Sequence, residues 1–450
     1  MNEKNGFTSK IGFVMAAAGS AVGLGNLWRF PYLAARYGGG MFLLVYLVLA
    51  VTFGFTLMLT EIAIGRKTGK SALSAFGALN KKCTWIGYLA CTVPCIIFPY
   101  YCVIGGWVMK YLAAYLTGQG QMAAGDDYFT GFLSLVGEPL VWLLVFLLMT
   151  AAVVVMGVQK GIEKASKILM PILVVLSVLI AIYGLTREGA MAGVAYYLIP
   201  DFGKFSGGLV FAALGQLFYS MSLAMGIMFT YGSYMGKKDN LESAVHQIEI
   251  FDTAIAFIAG LIIIPAVFAY SGGDQSALNS GPSLMFITLP KVFQDMYMGN
   301  VVGVAFFLLV LFAALTSSIS LMETIVSFVE EKTTWSRTKI SIIVTLASAL
   351  VAVPSALGFN VWSHITVWGL SILDFFDFLS NSVIMPIVAF LTCVFAAFVI
   401  KPQTIIDEVE NGAPFKAKKL YVTMIKYIAP VFIIMIFISS VLKGLGMMDF

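Results

Sequence analysis

Eleven times along this chain, about twenty residues pass with scarcely a charge among them. A stretch of that length and character spans the hydrocarbon core of a bilayer as an α-helix. The windows are about 11–36, 41–65, 86–116, 139–156, 166–185, 208–235, 243–270, 298–328, 339–357, 365–399 and 420–442. Composition agrees with this reading. The 450 residues are 60% hydrophobic and 11% charged, where a soluble domain carries roughly 25% charged residues. The expectation is an all-α membrane protein of eleven spans.

Lys and Arg orient those spans. Alternate connections hold Arg66, Lys67, Lys70, Lys81 and Lys82, then Lys160, Lys164 and Lys167, then Lys237 and Lys238, then Lys332, Arg337 and Lys339, then Lys401, Lys416, Lys418 and Lys419. The opposite connections hold little beyond Arg187, Lys204 and Lys291. The positive-inside rule places the rich side in the cytoplasm, so the amino terminus is expected inside and the carboxyl terminus outside. The opening MNEKNGFTSK is too polar for a secretory leader. The net charge of +4 reflects these loops and points to no nucleic-acid partner. Five cysteines, four of them between Cys83 and Cys102, form no disulfide framework or metal spacing. The outward connection at about 271–297 contains GPSLMFITLPKVF, which reads as a re-entrant or interfacial cap.

Two spans are interrupted. The first carries Gly19, Gly23, Gly25, Asn26, Arg29 and Pro31 within AAAGSAVGLGNLWRFP. Unwound backbone survives at membrane depth only inside protein or beside a wet cavity. Gly19-x-x-x-Gly23 also fits a helix-packing pattern, but Asn26 and Arg29 follow within two turns. The sixth span, GQLFYSMSLAMGIMFTYGSY at 215–234, places Gln216, Ser220, Ser222 and Gly226 mid-helix. Spans one and six each open a set of five. Two sequential five-span copies must be inverted, expected at 1–190 and 191–405, with 406–450 as the eleventh span and carboxyl terminus. Broken helices at matching positions of inverted repeats point to a midplane site for substrate and ions.

Span eight carries Thr316, Ser317, Ser318 and Ser320, span seven Asp252, and span ten Asp374 and Asp377. Hydroxyls often bond back to their own helix, yet three adjacent ones face different directions. Carboxylates at membrane depth are functional candidates. Oxygen donors without His or Cys suit an alkali or alkaline-earth cation. His246 and His364 lie near span ends and read as interfacial. No HExxH, GxSxG or Cys/His cluster supports an enzyme, and Gly23-x-Gly25 lacks the strand and third glycine of a dinucleotide fingerprint.

GSAVGLGNLWRFP followed by YGGG resembles the first-span signature of the neurotransmitter:sodium symporter family. GQLFYSMSLAMG, FAALTSSIS and FITLP resemble its sixth-span, eighth-span and outer-hairpin motifs, and eleven spans look like the bacterial branch. The resemblance implies a sodium-coupled amino-acid symporter in a bacterial plasma (inner) membrane, using one or two Na+ and no organic cofactor. It implies one sodium site at Ala21, Asn26, Ser220 and Asp252, and another at Gly19, Val22, Ala313, Thr316 and Ser317. Substrate would contact Ala21, Leu24, Gly25, Ile97, Tyr101, Tyr219, Ser222, Met225, Ser318 and Leu321. Arg29 and Asp377 would form an outer gate, Lys4 and Glu331 an inner one. Gly161 and Pro171 would mark where helix five unwinds.

Three departures from the family pattern sharpen this. Gly23 stands where monoamine transporters carry aspartate, and Leu24 replaces the glycine of the GABA branch; both favour an α-amino acid. Chloride-dependent members have Asn and Ser where this chain has Asp252 and Ala256, so transport is expected without chloride. A return step with Asp252 protonated would make proton antiport its corollary. Met225, Tyr219 and Ala224 shape an apolar pocket for hydrophobic or aromatic substrates. A non-transporting amino-acid sensor of the same fold is the alternative.

Overall fold

The computed structural model describes residues 6–272 and 282–444. Among these it is helical, with two isolated β-bridges in place of any sheet. Among the described residues nine helices are long and apolar enough to cross a membrane, and one bent pair makes a tenth. The pair is α1 (Lys10–Ala21) and α2 (Gly25–Arg36), turned by 52° at the break. The continuous crossings that follow are α3 (Gly40–Thr68), α4 (Lys81–Leu116), α5 (Gly137–Val155) and α6 (Val158–Leu185). The sixth expected span is split into α7 (Gly207–Ser220) and α8 (Ile227–Ser233), each too short to cross alone. Next come α9 (Leu241–Ser271), the shorter apolar α10 (Leu284–Gln294), and the crossings α11 (Gly299–Lys332), α12 (Arg337–Leu357), α13 (Ile372–Val399) and α14 (Lys418–Leu442).

The apolar windows match these helices closely except at the fifth, where α6 already begins at Val158 and not at 166, and at the tenth. There the helix begins at Ile372, and Asp374 lies exposed in its first turn, its N–H bonded 3.1 Å to Ser371 Oγ. Asp374 is therefore an exposed helix-start residue. The segment read as an outer cap is α10, which buries Leu284, Phe286, Leu289 and Phe293. Tyr111 of α4 donates to its Phe286 carbonyl at 2.6 Å.

Helix α1 packs against α9, α11 and α6, while α7 and α8 pack along α3. Both broken segments therefore lie at the centre, shielded by continuous helices, as unpaired backbone in lipid requires. The corner between α2 and α3 is built from glycine. Gly38 and Gly39 have φ +86° and +54°, and a Cβ on Gly39 would stand 2.0 Å from the Tyr196 carbonyl oxygen. A Cβ on Gly40 would stand 2.5 Å from the Ile199 carbonyl carbon. The corner thus meets residues 196–200 backbone to backbone. All five cysteines are free thiols.

Candidate functional site

Helix α1 stops where Val22 turns extended, at φ −73° and ψ 101°. Asn26 Oδ1 accepts the Gly23 N–H at 3.0 Å, and the Leu24 N–H reaches the Tyr101 hydroxyl at 3.4 Å. Glycine is required here by close approach. A Cβ on Gly23 would lie 2.6 Å from Ser317 Oγ, and one on Gly25 would lie 2.5 Å from a Tyr219 ring carbon. The second break, between Ser220 and Ile227, holds Ser222, Ala224 and Gly226 at φ +52°, +58° and +75°. Two non-glycine residues in that region carry local strain, a feature that gathers at binding sites. Strain here is braced by Glu61 of α3, which accepts the Ala224 N–H at 2.8 Å.

Hydrogen bonds tie the two breaks together. Ser222 Oγ donates to the Ser20 carbonyl at 3.0 Å, and Gln216 Nε2 donates to the Gly25 carbonyl at 2.9 Å. Two carbonyl-bearing helix ends, at Ala21 and Ser220, and two amide-bearing ends, at Gly25 and Ile227, therefore converge. Each helix end carries about half a charge of the corresponding sign. The space between them is a small, tightly lined cavity of about 30 Å³.

Nine of the ten residues expected at substrate line this cavity: Ala21, Leu24, Gly25, Ile97, Tyr101, Tyr219, Ser222, Met225 and Leu321. Ser20, Gly23, Ser220, Ile227 and Ser317 complete the lining. Ser318 is absent from it. Its hydroxyl lies 2.8 Å from Thr150 Oγ1 and 2.9 Å from the Leu315 carbonyl, because one residue further along α11 rotates it 100° from Ser317.

Beside the cavity, Asp252 is fully buried. Ser220 Oγ and Asn26 Nδ2 donate to its Oδ1 at 2.7 and 2.8 Å, and the Tyr46 hydroxyl donates to Oδ2 at 3.3 Å. All three donors are neutral, so an ionised Asp252 gains no counter-charge from them in this low-dielectric interior. Ser220, Asn26 and Asp252 thus stand together, with the Asn26 oxygen turned to Gly23. The other set is also gathered. Ser317 Oγ reaches the Ser20 and Val22 carbonyls at 3.0 and 3.4 Å, and Thr316 Oγ1 reaches that of Ala313 at 3.1 Å. Gly19 faces Thr316, whose Cβ would be 3.2 Å from an added Cβ. Hydroxyl and carbonyl oxygens of this kind fit a hard monovalent cation, and no group of three His, Cys, Asp or Glu occurs among the described residues.

The gate residues are arranged differently from the direct pairs implied above. Among the described residues Arg29 and Asp377 form no ion pair. The Arg29 guanidinium stands 5.4 Å from the Tyr219 ring centroid, while Asp377 accepts from Tyr100 at 3.1 Å and Asn381 at 2.6 Å. Lys4 lies outside the described residues. Its expected partner Glu331 accepts the Ser71 N–H and hydroxyl at 2.6 and 2.8 Å. Gly161 and Pro171 both lie in helical backbone, Gly161 in a wide turn where a Cβ would meet the Val153 carbonyl at 2.1 Å.

Closure below the cavity comes from elements that sequence reading missed. Phe7 packs edge-on against Phe13, Tyr231 and Tyr234, and its N–H donates to the Tyr234 carbonyl at 3.1 Å. The Tyr234 hydroxyl in turn donates to Glu323 at 2.9 Å, and Glu323 is paired with Arg337.

A bundle of apolar helices around two facing breaks, with buried oxygen donors at both, defines a multi-pass membrane transporter. The comparisons name its kind. The family model described as Sodium:neurotransmitter symporter family matches residues 4–130 and 128–448. The chain belongs to that family of sodium-dependent transporters. It is 35% identical over 443 residues to an uncharacterized sodium-dependent transporter, YhdH, of Bacillus subtilis, covering 97% of each chain. It is 26% identical over 494 residues to the human sodium- and chloride-dependent taurine transporter, covering 98% of this chain and 78% of that one. The solved structure of MhsT in complex with L-phenylalanine matches with a TM-score of 0.88 at 38% identity, covering 97% of this chain and 100% of that chain.

Proposed function

We propose that this protein is a sodium-coupled importer of hydrophobic α-amino acids, aromatic ones included, working by alternating access in a bacterial plasma membrane. The observation that carries this reading is the cavity between the two breaks. Its α2 end offers N–H groups to a carboxylate, its α1 and α7 ends offer carbonyls to an ammonium, and Ile97, Met225 and Leu321 offer an apolar wall. A zwitterion with an apolar side chain complements all three. The L-phenylalanine complex of the related MhsT supports the substrate class.

In this reading the chain has eleven spans, α7 and α8 together making the sixth, with the amino terminus in the cytoplasm. Residues 1–190 and 191–405 are inverted five-span repeats, and 406–450 follows them. Ala21, Asn26, Ser220 and Asp252 hold one sodium ion, and Gly19, Val22, Ala313, Thr316 and Ser317 hold another. Arg29 and Asp377 approach each other only as the outer side closes further, and Gly161 with Pro171 lets α6 open inward. Asp252 supplies fixed negative charge, so chloride is not needed.

Reconstituted vesicles test this. An inward sodium gradient is expected to drive accumulation of radiolabelled L-phenylalanine, competed by leucine and other apolar amino acids and undiminished when gluconate replaces chloride. Sodium-independent uptake, or uptake abolished in gluconate, refutes the coupling or the charge assignment respectively.

A further inference from the structure

Glu249 is a buried titratable group that none of the preceding chemistry uses. It stands in α9 three residues before Asp252, with its side chain only 4% exposed. Its Oε1 has no hydrogen-bond partner among the described residues. Its Oε2 lies 3.0 Å from Nδ1 of His246. The imidazole is half-exposed and stacks on Phe55 of α3, with centroids 4.6 Å apart and planes 11° from parallel. That stack fixes the ring plane toward the carboxyl. The spacing 246, 249, 252 climbs one side of α9 in steps of about 4.5 Å.

His246 also joins two spaces. One is a cavity at the start of α9, bounded by Glu242, Ser243 and Lys416. The other is an apolar groove between Val51 of α3 and Phe257 of α9 that reaches Glu249. Other titratable and charged groups facing this stretch are few. Glu242 and Asp252 come from α9 itself, and Tyr46 of α3 lies against Asp252. Tyr197, from the short helix Ala190–Leu198, bonds the Phe257 carbonyl at 3.2 Å. Lys10 of α1 is held by Ser243 at 2.8 Å, and Lys416 precedes α14.

We propose that His246 and Glu249 form a proton-binding site that competes with sodium. A proton taken up at Nε2 of the half-exposed His246 releases one from Nδ1 to Glu249 Oε2, so the net gain is a single O–H bond on Glu249. The inference rests on the reading of Asp252 as a sodium ligand. With a cation at Asp252, the ionised Glu249 one turn below is favoured. Without it, two buried carboxylates stand three residues apart on one helix, and the proton is favoured. Binding free energies are reciprocal, so protons at this pair weaken sodium binding by the factor that sodium weakens proton binding.

The test measures equilibrium binding of radiolabelled sodium to the purified full chain at about pH 8 and about pH 5.5, with radiolabelled L-phenylalanine binding followed in parallel. In the natural protein the sodium Kd is expected to rise about tenfold or more on acidification, a coupling of ordinary size. Glu249→Gln, permanently neutral, is expected to show the weakened Kd already at the higher pH and a span at least halved. His246→Gln, at a half-exposed position, is expected to shift the midpoint of the pH dependence. Wild-type Kd values and spans in both variants overturn the inference, and if Glu249→Gln does not fold, an unmoved midpoint in His246→Gln does so alone. Phenylalanine binding that fails while sodium binding behaves as described counts against the proposed substrate and leaves this site standing. An absence of saturable sodium binding overturns both.

Discussion

At the scale of single residues, Asp252 carries the most consequence. Three donors fix its oxygens, yet no basic side chain among the described residues neutralises it. Asp252→Asn keeps the shape and removes the charge. It is expected to raise half-saturating sodium for amino-acid uptake at least about tenfold, the scale of losing one partner of a buried ionic contact. Unchanged sodium dependence would show that the ion sits elsewhere. Asp252 was legible in the sequence because a carboxylate in an apolar run stands out. Glu61 stands out equally in FTLMLTEIAIG, but its partner is a backbone N–H on Ala224, far away in the chain, which residue types alone do not reveal. Ser318 was misplaced for the opposite reason. Three consecutive hydroxyls in a helix cannot share a face, and composition does not say which one turns inward. Arg29 and Asp377 were recognised as a pair through resemblance, yet their side chains rest on Tyr219 and on Tyr100 with Asn381.

At the scale of elements, the break between α7 and α8 is the strained part. Ala224 holds φ +58° without being glycine, which costs roughly 1–2 kcal/mol for an L-residue. Ala224→Gly is expected to relieve this against the greater freedom of glycine in the unfolded chain, raising the thermal midpoint in detergent by about one or two degrees. A fall in the midpoint would mean that the methyl group packs usefully and the strain is illusory. The helices themselves were readable from hydropathy, since each continuous crossing needs only an apolar run of sufficient length. The same rule also hid something. It registers the sixth span as one window, whereas the left-handed turns at Ser222, Ala224 and Gly226 divide it into two pieces. Glycine and serine content hinted at a break, but only backbone geometry places it. At the tenth window, Ser371 capping the Asp374 N–H starts the helix seven residues later than apolarity alone suggests.

At the scale of the whole molecule, the proposed cycle moves sodium charge inward with a neutral zwitterion. Each charge crossing 100 mV contributes about 2.3 kcal/mol. An inside-negative diffusion potential imposed on vesicles is therefore expected to increase the initial rate of amino-acid uptake severalfold, and an indifferent rate would mean that the cycle is electroneutral. The fold also has a seam that bears on how such a molecule assembles. Gly39 and Gly40 lie directly on the main chain of residues 196–200, and just beyond it Phe202 and Phe205 are exposed in the connecting stretch. That contact leaves no room for side chains, so its fit does not depend on the covalent link next to it. Two polypeptides, one ending and the next beginning near Gly203, are expected to reunite into a working carrier when made in the same cell. Bulk at Gly39 is expected to defeat that reunion before it harms the unbroken chain.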